Sequence, residues 1–126
     1  MNLNQITVPS SSLERAVPFY QKLGLKLIVD ALPKYARLEC PDGTSTFSIH
    51  HVDDINTTNQ GITVYFECEE LDDEYDRLIE LGLAFATPPT NQDWLWKEAS
   101  LFDPDGNRII LYYAGENRKN PPWRVK

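Results

Sequence analysis

Apolar and polar residues alternate along several short segments of this chain, and the same order of segments occurs twice. Residues Leu3 to Val8 alternate with period two, which predicts a half-buried strand. An amphipathic helix ending at Leu23-Gly24 follows, and further strands are joined by a Pro-Asp-Gly turn at 41–43. The second copy has its helix end at Leu81-Gly82 and its turn at 104–106. Because neither half can bury a core alone, the repeat predicts two packed βαβββ modules.

Local signals define the elements of each module. Ser11 and Glu14 match a capping box at the start of the first helix, and Gly24 suits a left-handed residue at its end. The apolar stripe of this helix consists of Leu13, Ala16, Val17, Tyr20 and Leu23. The other predicted strands cover 25–31, 35–40, 46–52, 62–68, 84–87, 94–102 and 108–113.

These elements predict one α+β domain over residues 1–126, in which two βαβββ modules form a concave mixed sheet with the helices on its outer face. The modules cover 1–54 and 61–114, and the polar segment from Asp53 to Gln60 is the predicted linker. Residues 115–126 form an irregular tail, which Trp123 is predicted to anchor to its own domain or to a partner subunit.

A helix covers the apolar face of each sheet, so the opposite face lines the concavity. Period two assigns to that face aromatic and polar side chains, as in small-molecule sites. They are Gln5, Thr7, Arg37, Glu39, Ser48, His50, Thr63, Tyr65, Glu67, Trp94, Trp96, Glu98, Ser100, Ile110 and Tyr112. For the aromatic residues, plain packing or a dimer contact is the alternative interpretation.

Composition narrows the function only slightly. The net charge of −7 disfavours nucleic acid and anionic membranes as partners, and no stretch is apolar enough for a membrane span. The chain starts directly with a strand pattern instead of a basic and apolar leader, which predicts a cytoplasmic protein. Cys40 and Cys68 lack the spacing of metal ligands and are predicted to be buried, reduced thiols.

Two motifs carry a family resemblance. The first is Phe19-Tyr20 together with Leu23-Gly24, and the second, in the other half, is Asp103-Pro104-Asp105-Gly106-Asn107. Both are similar to motifs of the vicinal oxygen chelate superfamily. That superfamily includes glyoxalase I, extradiol dioxygenases, fosfomycin-resistance enzymes and bleomycin-binding proteins. The resemblance implies the two-module fold, a ligand groove and a homodimer, while the fold itself does not specify an activity.

The enzymes of this superfamily hold a divalent metal with one residue from the first and one from the last strand of each half. Carried over by position, these residues would be Gln5, Ser48, Thr63 and Ile110. Only Gln5 is a usable ligand, because neutral hydroxyls ligate poorly and an aliphatic side chain cannot ligate. We therefore predict no metal and no other cofactor, with a displaced site of Gln5, His50 and Glu67 as the alternative.

The leading functional hypothesis is a metal-independent protein of the bleomycin-resistance type that binds a small aromatic or cationic molecule. In this hypothesis the ligand would pack against four aromatic side chains, those of Tyr65, Trp94, Trp96 and Tyr112. It would be oriented by Gln5, His50 and Glu67, and the predicted site is completed by Thr7 and Arg37. Two alternatives stay open. One is a metal-dependent lyase of the glyoxalase I type, or a dioxygenase, using the displaced site. The other is an interaction module whose groove is filled by residues 115–126.

Overall fold

The computed structural model describes residues 1–55 and 62–125, and its elements follow the predicted order in both halves. The first half contains β1 (Gln5–Ser10), α1 (Leu13–Lys22), β2 (Lys26–Ala31), β3 (Tyr35–Glu39) and β4 (Thr46–His51). The second contains β5 (Thr63–Glu67), α2 (Leu71–Glu80), β6 (Thr87–Asn91), β7 (Lys97–Phe102) and β8 (Arg108–Tyr113), followed by a 3₁₀ helix at Gly115–Arg118. The prediction of two βαβββ modules in an α+β fold is confirmed.

Each module forms a mixed four-stranded sheet. The strand orders are β1-β4-β3-β2 and β5-β8-β7-β6, and the first pair in each order is parallel while the others are antiparallel. The chain divides into a first unit, Met1–Ile62 with Asp103–Asn107, and a second unit, Thr63–Phe102 with Arg108–Lys126. The predicted single domain and module limits stay predictions, and the predicted linker residues 56–60 and the module start at Gly61 lie outside the described residues.

The apolar stripe of α1 forms part of the core of the first unit. Leu13, Ala16, Val17 and Tyr20 are at most 5% exposed, as the period of the helix predicts. Leu23, the fifth predicted member of the stripe, is the C-cap residue and is only half-buried, because the helix ends before it. They share this core with Val8, Leu38, Phe47 and Ile49 from the sheet. In the second unit α2 contributes Leu71 and Leu78, and the sheet contributes Val64, Ala99, Leu101, Ile109 and Leu111. Cys40 and Cys68 are half-buried and not buried as predicted, because each directly follows the last residue of its strand.

No helix in the described part of the chain has the length and apolarity required to cross a membrane.

The start of α1 differs from the predicted capping box. The N-cap residue is Ser12, and its side chain makes no capping hydrogen bond. The backbone N–H and the hydroxyl of Ser11 both donate to Asp105 Oδ1, at 2.7 and 2.8 Å. The capping box of Ser11 and Glu14 is therefore wrong: a carboxylate that is 94 residues away in sequence takes the donors of Ser11.

The Asp-Pro-Asp-Gly-Asn motif owes its residue types to a buried carboxylate. Asp103 is 5% exposed, and its Oδ1 accepts the backbone N–H groups of Asp105 and Asn107 at 2.9 and 2.8 Å. Its Oδ2 accepts the Tyr20 hydroxyl and the Asn107 side-chain amide, both at 2.6 Å. The same amide donates to the Pro9 carbonyl at 3.1 Å. The turn is thus a hydrogen-bonded part of the first unit.

The Tyr20–Asp103 contact predicts a component of stability that is lost in alkali. Burial, aided by the nearby Asp103 charge, raises the pKa of Tyr20 well above its usual value of 10.0. Tyr20 therefore stays neutral in the folded protein, whereas it ionises in the unfolded chain above pH 10. Its contribution to the free energy of unfolding is complete below pH 10 and declines above it. We expect the difference in free energy of unfolding between wild type and Tyr20→Phe to shrink by about 1.4 kcal/mol per pH unit above pH 10. Urea unfolding between pH 8 and pH 11 measures this; a constant difference would contradict it.

Two strand boundaries of the second module differ from the predictions. The strand predicted at 84–87 is β6 at Thr87–Asn91, and β7 begins at Lys97 instead of Trp94. β6 contains two adjacent prolines. The edge strand tolerates them because one of two successive N–H positions faces outward and because the pairing with β7 is interrupted between Thr87 and Thr90. Trp94 lies in a turn closed by a bond from the Gln92 N–H to the Trp96 carbonyl, and Leu95 takes a positive φ of 68° there.

Candidate functional site

The face of the second sheet opposite its buried core carries three aromatic rings, which we call the aromatic face. Tyr65 lies on β5, Tyr112 on β8, and Trp96 directly before β7. The parallel register places Tyr65 beside Ile110 and Glu67 beside Tyr112, and the antiparallel register places Glu98 on the other side of Tyr112. Side chains alternate along a strand, so all of these project to one side of the sheet.

The three rings contact one another in two geometries. Trp96 stacks on Tyr112 with centroids 4.6 Å apart and planes inclined by 17°. Tyr65 meets both rings edge to face, with centroid distances of 6.0 Å to Trp96 and 5.6 Å to Tyr112. Tyr112 is 6% exposed while Tyr65 is 48% exposed. The cluster therefore has a buried base in Tyr112 and an open ring in Tyr65.

Two carboxylates lie on either side of Tyr112. Glu98 is 9% exposed, and its Oε2 accepts the Trp94 indole N–H at 2.7 Å. Its other oxygen, Oε1, has no hydrogen-bond partner in residues 1–55 and 62–125. Burial, and next the charge of Glu67, raise the pKa of the Tyr112 hydroxyl, so this phenol stays neutral. The unpaired oxygen gives the aromatic face an acceptor for a cationic group.

Glu67 holds the beginning of the tail. Its Oε2 accepts the backbone N–H groups of Ala114 and Gly115, each at 2.9 Å, and its Oε1 lies 3.6 Å from Arg118 Nε. The Trp96 indole N–H donates to the Asn117 carbonyl at 3.3 Å. The sequence pattern of the tail does not indicate these contacts of Asn117 and Arg118, so neither residue is among the predicted site residues.

Trp123 does not provide the predicted anchor to its own domain. Its side chain is 56% exposed, and the tail is held instead through its 3₁₀ helix at Gly115–Arg118. An anchoring contact of Trp123 with a partner subunit stays a prediction. The physical reason for the difference is that a carboxylate accepting two adjacent backbone N–H groups fixes the chain before it reaches Trp123.

The other predicted site residues lie on the polar face of the first sheet. Gln5 Oε1 accepts the Thr46 hydroxyl at 2.8 Å, and Thr7 is exposed beside Ser48 in the register. Arg37 is half-buried, and His50 is exposed beside the backbone of Tyr35. The nine predicted residues thus divide between the units, with Gln5, Thr7, Arg37 and His50 in the first and Tyr65, Glu67, Trp94, Trp96 and Tyr112 in the second.

The residues present do not fit the divalent metal that the family resemblance implies. Ser48 is buried and its hydroxyl is hydrogen-bonded to the Tyr35 hydroxyl at 2.7 Å, and Ile110 has no donor atom. Both oxygens of Glu67, a member of the displaced site, are already engaged with the tail. Among the described residues, no group of three or more His, Cys, Asp or Glu side chains could hold a metal ion.

The fold and these motifs correspond to one protein family. Residues 2–111 match the family model described as the Glyoxalase/Bleomycin resistance protein/Dioxygenase superfamily, and the chain belongs to that superfamily. No curated protein matches the sequence significantly.

Among solved structures, a glyoxalase/bleomycin resistance protein/dioxygenase from Nocardioides has 22% identity and a TM-score of 0.76, covering 100% of this chain and 90% of the other. Lactoylglutathione lyase from Agrobacterium tumefaciens has 15% identity, a TM-score of 0.73, and coverages of 89% and 92%. A bleomycin-binding protein complexed with bleomycin has 18% identity, a TM-score of 0.70, and coverages of 90% and 98%. At these identities the likeness concerns the fold.

Proposed function

We propose that this protein binds a small molecule that is both aromatic and cationic, without a metal, at the aromatic face of its second unit. The observation that carries the proposal is the cluster of Tyr65, Trp96 and Tyr112 beside the unpaired Oε1 of Glu98. We also propose a homodimer and a cytoplasmic location, on the family resemblance and the sequence alone.

The aromatic part of the ligand is inferred from which ring surfaces remain open. Trp96 covers Tyr112, so a flat ligand would contact Tyr65 and the outer side of Trp96. Trp94, which is 45% exposed, adds a second indole beside Glu98. Rings that are already held by their neighbours lose little conformational freedom when a ligand stacks on them, which favours binding.

The positive charge of the ligand is inferred from the carboxylates. Glu67 is occupied by the tail. Glu98 uses one oxygen for the Trp94 indole, and its other oxygen has no hydrogen-bond partner in the described part of the chain. A carboxylate oxygen that solvent can reach at the edge of a mostly buried side chain can pair with a cation, and ring faces attract cations as well. The bleomycin-binding protein among the structural neighbours supports small-molecule binding by this fold, and the net charge of −7 favours a cation.

Tryptophan fluorescence provides the test, because two of the three Trp residues lie at this face. We expect N-methylquinolinium to quench the emission and to raise the melting temperature, while naphthalene-2-sulfonate, an anion of similar size, and tetramethylammonium have little effect. Removing one aromatic contact by Tyr65→Ala should weaken binding by about 2- to 30-fold.

Tyr113→Ala is the matched control for Tyr65→Ala. Tyr113 is 44% exposed, close to the 48% of Tyr65, and it follows Tyr112 on β8, so it projects from the opposite side of the sheet. We expect this variant to bind N-methylquinolinium as the wild type does. Equal losses in both variants, or no response to any aromatic cation, would contradict the proposal. Stoichiometric Ni, Zn, Mn or Fe in the purified protein would favour the lyase or dioxygenase alternative instead.

A further inference from the structure

Three side chains on the polar face of the first sheet form a connected group outside the aromatic face. Arg37 Nε donates to the Tyr35 hydroxyl oxygen at 3.0 Å, and its guanidinium carbon lies 5.6 Å from the centre of the Tyr35 ring. The Tyr35 hydroxyl is also 2.7 Å from the Ser48 hydroxyl. Tyr35 lies two residues before Arg37 on β3, and Ser48 lies beside Arg37 on β4. We call Tyr35, Arg37 and Ser48 the Tyr–Arg group.

The direction of the Tyr35–Ser48 bond follows from which hydrogens have acceptors. Ser48 is fully buried, and Tyr35 is its only side-chain partner among the described residues. If Tyr35 donated, the Ser48 hydrogen would be buried without an acceptor, which costs free energy. Ser48 therefore donates to Tyr35, as Arg37 does. Both lone pairs of the Tyr35 oxygen are then occupied, and its own hydrogen is directed away from these two partners.

The guanidinium of Arg37 has unused donors. Apart from the Nε bond to Tyr35, it makes no hydrogen bond to the described residues, and none of their acidic side chains pairs with it. This is unusual for a half-buried arginine in a chain with 19 acidic residues. Guanidinium nitrogens cannot accept hydrogen bonds, so Arg37 and the Tyr35 hydroxyl together present donors only. A surface of this kind selects an anion.

We propose that the Tyr–Arg group is a binding site for the carboxylate of a small organic acid. The planar guanidinium fork of Arg37 matches the two oxygens of a carboxylate, and the Tyr35 hydroxyl supplies a further donor. The donated bonds from Ser48 and Arg37 lower the pKa of the Tyr35 hydroxyl, which makes it a stronger donor to an anion. The site lies within the first unit, so it does not depend on the cation site proposed for the second.

Benzoate and its neutral counterpart benzamide test the site in the intact protein at constant ionic strength. The Arg37 Nε–H resonance reports ligand binding at the guanidinium in NMR spectra, and it is assigned by its absence in Arg37→Lys. Calorimetric titration measures the benzoate affinity of the wild type and of every variant. We expect benzoate to shift this resonance to saturation and benzamide to leave it unchanged. Arg37→Lys keeps the charge and loses the fork, so benzoate affinity should fall at least about tenfold; Tyr35→Phe, which loses one donor and the support of Nε, should lower it by about three- to tenfold.

Arg15→Gln is the matched control, since Arg15 is an exposed arginine on α1 of the same unit. It should bind benzoate as the wild type does, and thermal unfolding checks that every variant is folded. If Arg37→Lys does not fold, Tyr35→Phe decides the question. Unchanged affinity in the folded variants, an equal loss in Arg15→Gln, or an equal response to benzamide would overturn the proposal. Tighter binding of inorganic phosphate than of benzoate would overturn the assignment to a carboxylate.

Discussion

Replacing Asp103 by alanine is expected to lower the free energy of unfolding by about 3–5 kcal/mol. The substitution removes a buried carboxylate that accepts four hydrogen bonds, and it leaves the Tyr20 hydroxyl and the Asn107 amide without this acceptor. Tyr20 and Asn107 are at most 1% exposed, so water cannot replace the lost partner. Urea unfolding followed by circular dichroism measures the effect.

The duplicated Pro-Asp-Gly turn provides a control for Asp103→Ala. Asp42 occupies the turn of the first module, where it is exposed, and Asp42→Ala should change the stability by less than about 0.5 kcal/mol. Tyr20→Phe removes only one hydrogen bond to the carboxylate and should lower the free energy of unfolding by about 1.5–3 kcal/mol. This variant tests the role of the carboxylate if Asp103→Ala does not fold. Equal stabilities of Asp103→Ala and Asp42→Ala would show that the carboxylate is not important for the fold.

The sequence predicted the fold well where the signal is local and periodic. The stripe of α1 from Leu13 to Tyr20 is buried, and both Pro-Asp-Gly segments are turns whose glycines, Gly43 and Gly106, have positive φ. Both modules have the predicted order of elements. These features depend on side-chain period and on the conformational freedom of glycine, which a few neighbouring residues determine.

The errors occur where a residue's partner is distant in sequence or its conformation is atypical. Ser11 matches a capping box, but both of its donors are bonded to Asp105, which is 94 residues away in sequence and belongs to the same unit. Trp94 continues an alternating pattern, yet Leu95 adopts a left-handed conformation that its residue type does not indicate. Prolines made β6 look unlike a strand, because the sequence alone does not show that β6 is at the sheet edge.

The candidate site was predictable as a face but not as a set of contacts. Period two placed Tyr65, Glu67 and Tyr112 on the same side of the second sheet, where the structure has them. Period two also places Tyr35, which is not among the predicted site residues, on the same face as Arg37. The engagement of Glu67 by the tail depends on the path of the chain after β8, which no periodicity describes. Whether these residues bind a ligand stays a prediction.

Trp96 connects the stability of the second unit with its proposed binding function, so Trp96→Ala should impair both. The indole covers Tyr112, Ile110 and Ala114, which are at most 6% exposed, and it donates to the Asn117 carbonyl. We expect the free energy of unfolding to fall by about 2–4 kcal/mol, less than for a fully buried Trp because Trp96 is only partly buried. Release of the tail should also speed cleavage by trypsin after Arg118 and Lys119.

Two further tryptophan variants separate the contributions of Trp96. Trp96→Phe keeps a ring over Tyr112 and loses the indole N–H. It should therefore lower the free energy of unfolding by about 1 kcal/mol and speed cleavage of the tail only slightly. Trp123→Ala removes an exposed indole outside the aromatic face and should change the stability by less than about 0.5 kcal/mol. N-methylquinolinium affinity should follow the order wild type, Trp96→Phe, Trp96→Ala, because stacking on an organised ring is the proposed basis of binding. If Trp96→Ala and Trp123→Ala have the same free energy of unfolding, the same rate of tail cleavage and the same affinity for N-methylquinolinium, the aromatic face is neither a structural cluster nor a binding site.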